Sequence, residues 1–205
     1  MTNMHTLNLY HAPGTRSLRI LWLLEELGLP YELEPVAFTL PTTPFTQTSP
    51  FGKLPALEDG DVTMVESGAI LEYILERYGR GRLAPAVGTP QRAAFLQWVH
   101  FAEATAMPPF GEITRHTLFK PEAERIPAVV ADARARAAAG LAVIEQALSG
   151  SDYLLGSDFS AADVMMGYTL LSARWHGVLS DAYPNLVRYM ARLEARPAFQ
   201  KALRS

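Results

Sequence analysis

The chain has no cysteine. That excludes disulfides, thiolate-bound metals and any thiol nucleophile supplied by the protein itself. It has no long apolar run: nothing approaches the roughly 18 residues that would span a bilayer, so no membrane partner is expected. It has no run of basic residues and carries a net charge of -3, which argues against nucleic acid as a partner. The opening stretch "MTNMHTLNLYHAPG" shows neither a basic n-region nor an apolar h-region. No secretory signal is therefore read, and the cytoplasm is the expected compartment. The five histidines (His5, His11, His100, His116, His176) show no HxxxH or similar spacing, so no metal site is expected.

What is present is an ordinary globular composition. Of 205 residues, 49% are hydrophobic and 19% charged, which suits one large domain or two small ones with a real core. The first eighty residues change pattern repeatedly. "TLNLYHA" (6–12) reads as a strand stopped by Pro13-Gly14. "TRSLRILWLLEELG" (15–28) reads as a buried helix, capped by Thr15 or Ser17 and ended by Gly28 and Pro30. "YELEPVAF" (31–38) is a second strand, and "LPTTPFTQTSP" (40–50) a proline-punctuated loop. "KLPALED" and "VTMVE" are short strands around an "EDGD" turn, followed by the helix "SGAILEYILERYG" (67–79). The order β-α-β then β-β-α predicts a small mixed sheet with helices on its faces.

"GRGRLAPAVGTP" (79–90) has no periodicity and reads as a linker. Beyond it the patterns are helical: 90–107, 122–150, 160–175 and 184–197. The expected division is a mixed α/β domain over residues 4–84 and an all-α domain over residues 90–205.

Three short stretches invite chemistry. Pro55 interrupts a strand-like run, which a proline does at an edge or turn. A cis bond there would instead turn the backbone groups of Leu54 outward, toward an extended peptide ligand. Glu66-Ser67 precedes a helix. Ser67 can serve simply as a cap. Alternatively, the helix start attracts a carboxylate while Glu66 receives an ammonium, a cradle for an amino-acid head group. "PGTRSLR" (13–19) sets two hydroxyls and two arginines at another helix start, which suits an anion such as a thiolate. A fourth stretch, "FSAADVM" (159–165), reads as structural. Ser160 with Asp163 three residues on forms a capping box, and Asp163→Ala is expected to lower stability more than activity.

In register, "LYHAPGTRSLRILWLLEELGLPYELEPV", "SPFGKLPALEDGDVTMVESGAILEYILERYG" and "FSAADVMMGYTLL" resemble the cytosolic glutathione S-transferases over essentially the whole chain. The flavour is bacterial and theta- or beta-like. The resemblance implies a thioredoxin-like N-terminal domain, an all-helical C-terminal domain, glutathione as co-substrate and a homodimer. It implies that Pro55 is cis, that Leu54 pairs with the cysteinyl part of glutathione, that Glu66 and Ser67 hold the γ-glutamyl head, and that Lys53 lies near the glycyl carboxylate. Theta-like members carry serine where this chain has Thr15. A beta-class alignment puts the family cysteine at Arg16, so that chemistry is absent. The order of candidates for thiol activation is Thr15, then Ser17, with Arg16 as electrostatic help. Tyr10 does not match the tyrosine of the alpha, mu and pi classes. An electrophile pocket is expected between the domains, from His11, Ala12, Met107, Phe110, His116 and Trp175. The expected activity is conjugation of the thiolate to small hydrophobic electrophiles, a detoxifying reaction. The alternatives are a non-catalytic binding protein of the same fold and another glutathione-dependent reaction such as peroxide reduction or isomerisation.

Overall fold

The structure, a computed structural model, describes residues 6–37 and 48–205. His5, Phe38 and most of the loop expected over 40–50 lie outside them. The chain forms two compact units. One holds the described residues up to Leu83 together with Glu194–Ser205, and the other holds Ala84–Leu193.

The first unit is built on a four-stranded sheet of order β2-β1-β3-β4. Its strands are β1 (Leu7–His11), β2 (Tyr31–Pro35), β3 (Ala56–Asp59) and β4 (Val62–Val65). β1 runs parallel to β2 and antiparallel to β3, and β3 runs antiparallel to β4. This is the mixed sheet expected from the element order, in the thioredoxin-like arrangement that the resemblance implies. Alternation sends Leu7, Leu9 and His11 of β1 to one buried face. Asn8 and Tyr10 point to the other, where both donate to the carboxylate of Glu58. The edge strand β2 carries Glu32 and Glu34 exposed, charges that discourage further pairing.

Helix α1 (Ser17–Leu27) buries all but two of its residues, Glu25 and Glu26. It ends at Gly28, whose φ of 62° lies in the left-handed region that favours glycine. Of the two caps expected, Thr15 Oγ1 accepts the Ser17 N–H at 3.4 Å, a long bond at the helix start. Arg16 holds the cap position and makes no side-chain capping bond, and the two hydroxyls donate elsewhere. Helix α2 (Ser67–Tyr78) likewise has Glu66, not Ser67, at its cap position. The β3 ladder begins at Ala56, directly after Pro55, so the proline removes no bond from the sheet.

The second unit contains α3 (Pro90–His100), which continues as a π-helical stretch Phe101–Ala106. It also contains α4 (Pro108–Thr114), α5 (Pro127–Ala147), α6 (Ala161–Trp175) and most of α7 (Pro184–Glu194). Proline stands at the first position of α3, α4, α5 and α7. There its missing N–H costs nothing, which is why α5 starts at Pro127 rather than at Glu122. Almost all of α6 is buried, and its first turn is closed by the Ser160–Asp163 capping box.

The last helix, α8 (Pro197–Leu203), was expected with the helical domain. It packs on α1 instead. Phe199 meets Trp22 edge-to-face at 4.7 Å, and Arg196 makes a two-pronged pair with Glu26 at 2.6 and 2.8 Å. Among the described residues no helix is long and apolar enough to cross a membrane.

Candidate functional site

The start of α1 is a tight cluster of polar groups. Thr15 donates its hydroxyl proton to the carbonyl of Ala12 at 2.7 Å. The Thr15 and Ser17 oxygens are 2.6 Å apart, and Ser17 Oγ lies 2.8 Å from His11 Nδ1. Ser17 is completely buried, whereas Thr15 keeps 8% of its surface exposed. Of the two residues expected to activate a thiol, only Thr15 keeps any exposed surface. Arg16 is partly exposed beside it.

One turn along, Arg19 is fully buried and donates from Nη1 to Ser67 Oγ at 3.0 Å. A guanidinium is rarely taken wholly out of water. Here it ties the start of α1 to the start of α2. Arg19 was part of the motif but absent from the expected site. Its signal in the sequence is a cation in the first turn of a helix whose next five residues are apolar.

At the start of α2, Ser67 is buried and Glu66 exposed. Glu66 has φ 73° and ψ 109°, a region that costs a non-glycine residue about 1–3 kcal/mol. The neighbouring loop is clamped by Ser49, which accepts from the Lys53 N–H at 3.2 Å and donates to the Lys53 carbonyl at 2.8 Å. The Leu54–Pro55 bond that follows is cis. Lys53 is exposed, Leu54 partly so, and Pro55 buried. Thr15, Arg16, Ser17, Lys53, Leu54, Pro55, Glu66 and Ser67 all belong to one compact unit, at its first two helix starts and in the loop before β3.

Tyr10 donates its hydroxyl to Glu58 Oε1 at 3.1 Å, on the opposite face of β1 from His11. Both directions take it away from the α1 cluster. Ala12 contributes its backbone to the cluster, and His11 turns Nδ1 inward to Ser17.

The remaining pocket candidates belong to the helical unit. Met107 and Phe110 are buried in its core, Phe110 against the ring of His176 at 5.7 Å. His116 is buried and accepts the Ile126 N–H on Nδ1 at 3.1 Å, which fixes the chain just before α5. Trp175 alone among them is open, at 53% exposure, with its ring edge-on to Tyr168.

Comparison with known proteins agrees with this geometry. The family model described as "Glutathione S-transferase, N-terminal domain" matches residues 5–76, and that for the C-terminal domain matches residues 127–192. Glutathione S-transferase 3 of Schizosaccharomyces pombe is 30% identical over 93% of this chain and 84% of its own length. A glutathione transferase of Phanerochaete chrysosporium, solved with oxidized glutathione, is similar with a TM-score of 0.88 and 26% identity over 100% of this chain and 97% of its own. One from Burkholderia graminis, solved with two glutathione molecules per subunit, has a TM-score of 0.88 and 29% identity, covering 98% and 88% of the two chains. Both family models in sequence order, and likeness along nearly the full length, lead to one conclusion: the chain belongs to the glutathione S-transferase family.

Proposed function

We propose that this chain binds glutathione across the starts of α1 and α2 and transfers its thiolate to small hydrophobic electrophiles. The observation that carries the reading is the buried Arg19–Ser67 pair beside the exposed Glu66. Ser67 accepts from the guanidinium and still has its own proton to give to a carboxylate. The helix start and the buried cation both favour negative charge there. Glu66 supplies the counter-charge for an ammonium. A γ-glutamyl head group carries both charges on one carbon and fits that pattern. Leu54 would pair through its backbone with the cysteinyl part, and Lys53 would meet the glycyl carboxylate.

The thiol the chain lacks arrives with this ligand. Thr15 would donate to it, with Arg16 adding positive potential and Ser17 acting from behind. Lowering a thiol pKa by about two units requires roughly 2.7 kcal/mol, within reach of a hydroxyl donor and a helix start. A homodimer working in the cytoplasm completes the reading, as the family resemblance implies.

Calorimetric titration with glutathione tests the cradle. Wild type should bind, and Ser67→Ala should bind about ten- to a hundredfold more weakly, the loss expected for a bond to a charged group. A wild type that does not bind glutathione would sink the proposal. Turnover of an aryl halide, compared with an organic hydroperoxide, then separates conjugation from peroxide reduction. Binding without turnover of either would leave the chain a glutathione-binding protein.

A further inference from the structure

His11 is buried, and its Nε2 has no hydrogen-bond partner among the described residues. A buried polar atom without a partner is costly and rare. The other face of the ring explains what the burial secures, because the protons in the α1 cluster can be counted. The Ala12 carbonyl only accepts, so the contact at 2.7 Å uses the Thr15 proton. The 2.6 Å contact between the hydroxyls then uses the Ser17 proton. The 2.8 Å contact between Ser17 Oγ and His11 Nδ1 has no hydroxyl proton left, so the proton is on Nδ1. Burial holds the imidazole below its ordinary pKa and therefore neutral. Nε2 is accordingly the bare nitrogen. All three donors point the same way, from His11 through Ser17 to Thr15.

We propose that His11 is a positioning residue for thiol activation: its Nδ1–H sets the direction of a His11–Ser17–Thr15 hydrogen-bond chain whose last proton, that of Thr15, is offered to the glutathione thiolate. This rests on the thiol-activating role given to Thr15 above. The last link can swing without loss. The Ala12 carbonyl also receives the Thr15 backbone N–H at 3.3 Å, so it stays paired when the hydroxyl turns outward. Thr15 meanwhile still accepts from Ser17, and a donor that is itself accepting gives the stronger bond. The thiol proton leaves to solvent; the chain of hydroxyls donates a hydrogen bond and transfers no proton. Reversal of the chain, with the imidazole proton on Nε2, would aim the Ser17 proton at His11 and leave Thr15 bound to Ser17 rather than to the ligand.

The test is the ultraviolet absorbance of the bound thiolate as a function of pH, in wild type, His11→Leu, His11→Asn, Ser17→Ala and Thr15→Val. His11→Leu should raise the thiol pKa of bound glutathione by about half a unit, a roughly threefold loss of thiolate near neutrality, with an equal loss of affinity for the thiolate form and none for the neutral thiol. His11→Asn, whose amide N–H can stand where Nδ1–H stood, should restore the wild-type value. Ser17→Ala cuts the same chain with a smaller change of volume, and should shift the thiol in the same direction even where His11→Leu folds poorly. A thiol pKa that moves in Thr15→Val and not in Ser17→Ala or His11→Leu would overturn the inference and leave the role of Thr15 standing. A wild type that does not lower the thiol pKa at all would overturn both.

Discussion

Period-two alternation puts His11 on the face of β1 that carries Leu7 and Leu9, so a titratable ring lies where two leucines lead. Burial lowers its pKa below the usual value near 6.5. The sign of the consequence follows from proton binding. Below the unfolded pKa the unfolded chain takes up a proton that the folded chain refuses, so stability falls as pH drops from about 6.5 toward the folded value. Urea midpoints at pH 7.5 and 5.5 should therefore differ more in wild type than in His11→Asn, which has nothing to protonate. Equal differences in the two proteins would mean that His11 titrates normally. Arg19 is the opposite case. It is a buried cation that keeps its charge, and its guanidinium is retained where one donor reaches Ser67. A neutral aliphatic replacement would leave Ser67 without that donor.

Helix ends were the least readable part at the scale of elements, and the reason is physical. A cap is defined by which side chain reaches which N–H, and near Thr15 and Ser17 a nearby carbonyl and a histidine compete for the same hydroxyls. At α6 the capping box read from Ser160 and Asp163 is present. Asp163 does more than cap. It accepts from Ser160 N–H and Oγ–H, from Leu154 N–H and from the Tyr189 hydroxyl. Burial pushes its carboxyl up while these four donors pull it down. Burial and the Asp163 charge in turn hold the Tyr189 hydroxyl well above the ordinary phenol range. Asp163→Ala strands several buried donors, each costing about 1–3 kcal/mol, so a loss of roughly 3–5 kcal/mol is expected. Asp163→Asn should lose nearly as much, because an amide turns an N–H toward a donor. Chemical denaturation measures both, and a near-neutral Asn variant would show that the carboxylate's second oxygen is dispensable. The order of strands and helices was legible because hydrophobic periodicity is local and strong there. The Leu54–Pro55 break was legible because a proline in a strand-like run violates a local rule. The inward turn of His11 and the reach of Arg19 to a serine 48 positions away were not, since neither leaves a local trace.

Both ends of the described chain contribute to one unit at the scale of the whole molecule, and this too was hidden in the sequence. A seven-residue helix with one aromatic reads as a tail. Its destination depends on a partner far away along the chain. The attachment is substantial. Phe199 is fully buried against Trp22, Arg196 grips both oxygens of Glu26, the Trp22 indole N–H donates to the same carboxylate at 2.8 Å, and Lys201 pairs with Glu25 at 2.8 Å. Burying one phenylalanine contributes about 1.5–3 kcal/mol, out of a total that for most domains is only about 5–15 kcal/mol. The unit that holds the proposed glutathione site is thus complete only with residues that follow the entire helical unit. Removal of 195–205 should lower the melting midpoint, expose Trp22 and shift its fluorescence to the red, and weaken glutathione binding although no proposed ligand contact is deleted. Phe199→Ala should do the same in smaller measure with the ion pairs retained. Unchanged Trp22 fluorescence in the truncated chain would show that α1 keeps its packing without α8, and the coupling between the chain's end and the site would then be lost from the account.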